Sequence, residues 1–230
     1  MITAHGKNQI EKARHTHPVR KPPASRYGNN RHIVYSPTLR RRLILGSDLE
    51  FDQWVLLEAA RKKFFCEQPL RVQVRLPQGV VTTVFDFWTH WQDGSEEYRE
   101  VKYSKDLEQG SRASRQIEAQ QNFCELHGFI HVVATEKIIR SNPLYLENWK
   151  TILHNLAMVA AIDLASISKQ VVEFLRASQR STIAAILTAF SVYDRVLVQA
   201  AIYSLIHQHA LSAALDSQIL SPSLCVEVNV

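Results

Sequence analysis

Leu70-Arg71-Val72-Gln73-Val74-Arg75-Leu76 alternates apolar and polar residues without a break. After Pro77-Gln78-Gly79, Val80-Val81-Thr82-Thr83-Val84-Phe85-Asp86-Phe87-Trp88 resumes a β-prone pattern. Asp93-Gly94 then turns the chain into Tyr98-Arg99-Glu100-Val101-Lys102-Tyr103. A period of two is that of a half-buried strand, and both breaks are turn signals, so the stretch predicts three strands in succession. Upstream, Ser47 and Glu50 form a capping box ahead of Leu49, Trp54, Leu56, Leu57 and Ala60. That predicts a largely buried helix ending near Arg61-Lys62-Lys63, where positive charge suits a helix C-terminus. Downstream, residues 110–127 read as a helix with Ile117, Phe123, Cys124 and His127 on one face and Gly128 as its cap, followed by a buried strand from Phe129 to Ala134. The order αβββαβ makes an α/β unit.

Beyond Asn142-Pro143, an N-cap and first helical residue, the pattern becomes helical. Leu146, Trp149, Leu153 and Leu156 mark one stripe, and Ile167 to Ala177, Thr182 to Phe190 and Tyr193 to Ala210 follow as shorter helices. Ser212 to Val228 holds short β-prone pieces. Helices closed by a terminal hairpin suggest a winged-helix-like domain. The expected organisation is therefore a basic arm over residues 1–45, an α/β domain over 46–142 and a helical winged-helix-like domain over 143–230.

Composition narrows the classes. The chain has 230 residues, 46% hydrophobic and 21% charged, which is ordinary for a globular protein. Leu156 to Ala165, the longest apolar run, is interrupted by Asp163 and falls well short of a bilayer span of about 20 residues. Residues 1–45 hold no apolar signal segment, so the expected location is the cytoplasm, with no membrane partner. Cys66, Cys124 and Cys225 stand apart with no CxxC pair, which suits reduced thiols rather than disulfides or a zinc site.

The net charge of +5 is unevenly spread. Residues 1–45 carry ten Lys and Arg, including Arg40, Arg41 and Arg42, against Glu11 alone. Such an arm is an electrostatic footprint for a polyanion, usually nucleic acid. Residues 1–36, with several prolines and no apolar periodicity, read as extended or disordered until a partner orders them. By contrast, Arg195 is the sole Lys or Arg from Thr182 onward, so the C-terminal helices predict protein docking rather than DNA reading.

Glu100 and Lys102, two apart on a strand, share a face, and a neighbouring antiparallel strand can bring Asp86 beside them. Two carboxylates and an ammonium on one sheet face suit phosphodiester hydrolysis. The carboxylates hold divalent ions while the lysine orients or helps deprotonate the attacking water. Glu50 could add a third carboxylate. Arg112 and Arg115, opening the second helix, are placed to meet DNA phosphates, and His90 is a further conceivable ligand.

Ser47-Asp48-Leu49-Glu50, Glu67-Gln68-Pro69, Phe85-Asp86-Phe87, Asp93-Gly94 and Glu100-Val101-Lys102 follow one another in the order and spacing of TnsA-type endonucleases, which this chain resembles. The resemblance covers about residues 33–135 and weakens toward the C-terminus. It implies a restriction-endonuclease-like PD-(D/E)xK core followed by a winged-helix-like domain. It further implies Glu50, Asp86, Glu100 and the Val101 backbone carbonyl around Mg²⁺, with Mn²⁺ as substitute, Lys102 as catalytic lysine and Gln68 in support. Phe85 stands where the family usually has proline. Such subunits cut the 5′ strands at bacterial transposon ends. A TnsB-like DDE recombinase handles the 3′ strands, and a TnsC-like AAA+ ATPase links both to the target. A freestanding restriction or repair nuclease of the same superfamily, or a non-catalytic DNA-binding assembly subunit, are the competing readings.

Overall fold

The computed structural model describes residues 14–20, 30–108 and 111–229. Strands β1 (His32–Ser36) and β2 (Arg41–Leu45) form an antiparallel hairpin, so part of the expected extended arm is folded. Leu43 and Leu45, each 1% exposed, explain why: they alternate inward and join the main core. The rest of the arm's expected order, over residues 1–13 and 21–29, lies outside the described residues.

Helix α1 (Asp48–Ala59) starts as its capping box dictates. Ser47 Oγ accepts from the Glu50 amide, while the Glu50 carboxylate accepts from the Gly46 amide and the Ser47 hydroxyl. The helix stops at Ala59, before the expected basic end. Lys62 and Lys63 instead open β3 (Lys62–Glu67), a strand that the alternation-based reading passes over because Phe64, Phe65 and Cys66 run together. Strands β4 (Arg71–Leu76) and β5 (Gly79–Val84) pair only with each other, around a turn where Gly79 takes φ +122°. That backbone conformation is open to glycine and disfavoured for other residues. Val80 to Trp88 is thus not one strand: it breaks at Phe85-Asp86, and β6 (Phe87–Trp91) enters another sheet.

That sheet is completed by β7 (Glu96–Val101) and, after helix α2 (Arg112–His127), by β8 (Ile130–Ala134). Its strand order is β3-β6-β7-β8, antiparallel except for the β7–β8 pair. The chain is mixed α/β as expected, but the first strand of this sheet is β3 rather than Leu70–Leu76, and β4–β5 is an excursion from it. Gly128 caps α2 at φ +71°, as expected, whereas His127 is exposed rather than inward. Cys66, Val72, Phe85, Trp88, Tyr98 and Cys124 make a small core between the hairpin, the sheet and α2. All three cysteines are free, and burial pushes the Cys66 and Cys124 thiols up to about 12.

The short helix α3 (Glu136–Ile139) leads to α4 (Pro143–Met158), α5 (Ala165–Ser178), β9 (Arg180–Thr182), α6 (Ile183–Ala189), α7 (Arg195–His207), β10 (Leu211–Ala213) and β11 (Cys225–Val228). The last strands form a sheet ordered β10-β11-β9, in which β9 is a third member not expected from the sequence. These helices and α1 share one apolar cluster, from Leu43 to Val226. Two buried carboxylates of α1 tie them together. Asp52 accepts from Arg140 at 2.7 Å and Lys150 at 2.9 Å, and Glu58 accepts from Thr38 at 2.6 Å, His207 at 2.8 Å and Ser36. Among the described residues no helix is long and apolar enough to cross a membrane.

Candidate active site

Asp86 sits at the break between β5 and β6, where the chain passes from one sheet to the other. Its backbone is fixed on two sides: its amide donates to the Arg99 carbonyl at 3.0 Å, and its carbonyl accepts from the Gln68 amide at 2.8 Å. Phe87 lies opposite Arg99, so the antiparallel register places Asp86 beside Glu100. Asp86 Oδ2 also accepts from the Val101 amide at 2.8 Å. The break frees this carboxylate from one sheet's alternation and aims it at the end of β7.

Glu100 is 1% exposed and fully held. Gln116 donates to its Oε1 and Gln120 to its Oε2, each at 2.7 Å, and Lys102 Nζ reaches Oε1 at 2.5 Å. Gln120 also donates to the Thr83 hydroxyl at 3.0 Å, linking α2, β5 and β7. Lys102 extends the face of β7, and its amide bonds the Ala134 carbonyl at the end of β8.

The electrostatics follow from crowding acids in a partly dry space. Burial, and then the neighbouring Asp86 charge, push Glu50 up to about 7 and Glu100 up to about 8. Asp86 is itself raised by burial, against the pull of Lys102, the Val101 amide and Arg20. Burial works against charge on Lys102, yet Glu100 and Asp86 outweigh it and the net shift is upward. Lys102 is therefore an ammonium at neutral pH.

These groups open into a cleft of about 700 Å³ lined by Glu50, Asp86, Glu100, Val101 and Lys102, with Arg20, Arg112 and Arg115 among its other walls. The remaining arginines assigned from the sequence lie elsewhere. Arg41 is held in a two-pronged pair with buried Glu67, 2.6 Å on each arm, away from the walls of this cleft. Arg40 lines a different cleft, beside Arg61 and His209, and Arg42 is exposed on β2. His90 does not line this cleft.

Gln68 proves to be a brace. It is 3% exposed, adopts φ +43°, and accepts from Arg20 Nε at 2.9 Å through its side chain. Its backbone holds Asp86 on one side and Val19 on the other. Arg20, Gln116 and Gln120 were missed by sequence reasoning. Arg112, Gln116 and Gln120 stand four apart on α2, a polar stripe beside the apolar one, and that spacing was the available signal.

The oxygen donors suit a hard divalent cation rather than a soft one. Among the described residues, no three His, Cys, Asp or Glu side chains are gathered closely enough to hold a metal ion on their own. Asp86 and the Val101 carbonyl remain a fit for Mg²⁺, which commonly takes one or two protein ligands and keeps several waters.

Comparison with known families finds that residues 63–136 match the family described as TnsA-like endonuclease N terminal. The matched segment begins in β3 and ends in α3, so it holds Asp86, Glu100, Lys102, Gln116 and Gln120 but not Glu50. No curated protein matches the chain.

Proposed function

We propose that this chain, whose residues 63–136 match the TnsA-like endonuclease N-terminal family, is the metal-dependent DNA endonuclease subunit of a heteromeric cut-and-paste transposase. The observation that carries the reading is the meeting of Asp86, Glu100 and Lys102 at one cleft whose walls include Arg20, Arg112 and Arg115. The family match points to a nuclease of the Tn7 transposase type.

Within this reading, Asp86 and the Val101 carbonyl would hold Mg²⁺ directly, with Mn²⁺ as substitute, while Glu100 and Glu50 would face it through its bound waters. Bound there, the cation supplies an acidified water and a counter-charge for the phosphate oxygens. Lys102, as an ammonium, donates hydrogen bonds to the scissile phosphate and orients the attacking water; it holds a proton rather than taking one. Gln116 and Gln120 fix the Glu100 carboxylate against rotation. Arg20, Arg112 and Arg115 hold the flanking phosphates in register.

The αβββαβ order around the mixed sheet supports a restriction-endonuclease-like core. The run α5-β9-α6-α7-β10-β11, closed by a three-stranded sheet, supports a winged-helix-like C-terminal unit, and its scarcity of cations supports protein docking. The partners in this reading are transposon-end DNA, a TnsB-like recombinase and a TnsC-like ATPase in a bacterial cytoplasm.

The test is strand mapping on a plasmid bearing the element's ends, with recombinase, ATPase and Mg²⁺. Asp86→Ala is expected to abolish 5′-strand cuts while 3′ cutting and joining persist and yield cointegrates. Identical products from both proteins would overturn the proposal.

A further inference from the structure

The β4–β5 hairpin grows out of the catalytic aspartate's own turn. Its base is closed by the Gln68 amide on the Asp86 carbonyl and by the Phe85 amide on the Leu70 carbonyl at 3.4 Å. The two strands pair with no other strand and project as a two-stranded ribbon. One face is packed: Val72 and Leu76 are buried, and Val72 joins Phe85 and Cys124 in the small core. The opposite face presents Arg71, Gln73 and Arg75 from β4, with Thr82 and Val80 across from Gln73 and Arg75.

Arg71, Gln73 and Arg75 are all exposed, and among the described residues none of their side chains has a hydrogen-bond or ion-pair partner. From Leu70 to Val84 there is no Asp or Glu, although the body of the chain beyond residue 45 carries more acidic than basic residues. A merely solvated strand face in such a body would carry mixed charge. Arginine and glutamine are instead the side chains whose paired donors and acceptors match base edges. A two-stranded ribbon fits the major groove, which is about 12 Å wide. Val80 to Val84 also line the cleft, so DNA lying there meets the β5 side of the ribbon, and Arg71, Gln73 and Arg75 on β4 stand next outward from that wall.

We propose that the β4–β5 hairpin is a groove-reading ribbon, inserting Arg71, Gln73 and Arg75 into the major groove of the duplex beside the scissile phosphate. The inference rests on the nuclease reading for the position of the cut. Six residues per strand at about 3.4 Å each reach roughly 20 Å, or about six base pairs from the cut.

The experiment measures binding of the full chain to a duplex carrying the element's end and flank, as a function of salt. Arg71→Ala/Arg75→Ala is compared with Lys169→Ala/Arg176→Ala, which removes equal charge from exposed positions on α5. The hairpin variant is expected to bind at least about tenfold more weakly, with a salt slope shallower by about two, while the α5 variant follows wild type. Gln73→Ala is expected to relax discrimination against substituted base pairs near the cut about tenfold. Hydroxyl-radical footprinting of the wild type, which involves no variant, is expected to protect the flank within about six base pairs of the cut. Unchanged binding by the hairpin variant, equal weakening by the α5 variant, no binding by wild type, or an unprotected flank each overturns the proposal. Asp86→Asn separates the two readings: if it still cuts, the nuclease reading fails, whereas loss of cutting with unaltered hairpin-variant binding sinks the ribbon alone.

Discussion

Asp86 Oδ2 accepts a hydrogen bond from the Val101 amide at 2.8 Å, so the strand that carries Glu100 and leads into Lys102 also aims the aspartate. The bond crosses from the β5–β6 break to the end of β7 and sets the carboxylate without constraining its other oxygen. Shortening Asp86 to Ala removes the carboxylate while the backbone bonds to Gln68 and Arg99 survive. We expect Asp86→Ala to lose about 10³-fold or more of strand cutting with little change in stability, checked by single-turnover cleavage beside circular dichroism. Lys102→Ala is expected to lose about 10²–10⁴-fold of cutting while retaining DNA and metal binding, because its role is on the transition state. Failure to bind metal in Lys102→Ala would contradict that role.

Gln116 and Gln120 make a second prediction. Each amide holds one Glu100 oxygen at 2.7 Å, and groups that orient a metal-binding carboxylate typically matter about 10–100-fold in affinity. Gln120→Ala is expected to weaken Mn²⁺ binding by that range, measured by calorimetry, and Gln116→Ala by less, because its atom shares Oε1 with Lys102. Gln120→Glu should be worse than Gln120→Ala, since it sets a new carboxylate against Glu100. Equal affinities across the series would mean that Glu100 needs no orienting.

The candidate site's face was legible because period-two alternation places Glu100 and Lys102 together regardless of the remaining fold. The helices α1 and α2 were legible from Ser47, Glu50 and Gly128, whose roles at helix ends are local. Strand β3 was not, because Phe64-Phe65-Cys66 is buried on both faces and carries no alternation, so the first central strand went to Leu70–Leu76 instead. The break at Phe85-Asp86 was hidden for a related reason. Val80 to Trp88 is uniformly β-prone, and only the competition of two sheets for its ends splits it. Arg20 and Gln120 depend on contacts across 48 and 20 positions, which a local pattern does not encode.

Gln68 offers a test of backbone strain against side-chain function. At φ +43° a residue with a Cβ is disfavoured, and glycine there relieves roughly 1 kcal/mol. Gln68→Gly is expected to be more stable than Gln68→Ala by about that amount in urea unfolding. Both lose the 2.9 Å bond to Arg20, so both should weaken DNA binding to the same modest degree. A Gly variant less stable than the Ala variant would show that the backbone relaxes here without strain.

Glu58 sets the acid limit of the fold. Burial alone would raise its pKa, but the His207 hydrogen bond, the Lys62 charge and the Ser36 hydroxyl more than offset this, and it falls below the ordinary 4.5. A carboxylate with a depressed native pKa contributes stability that is present above its unfolded value and is lost as pH falls through the native one. The urea midpoint of the wild type should therefore decline below about pH 4.5, with Glu58 a principal contributor. Glu58→Gln should be less stable at neutral pH and should flatten that decline. Glu58→Ala is expected to cost about 3–5 kcal/mol, because it leaves Ser36, Thr38 and His207 facing a void between α1, the β1–β2 hairpin and α7. A Glu58→Gln protein with the wild-type acid profile would transfer the effect to other carboxylates held below their ordinary value, such as Glu96.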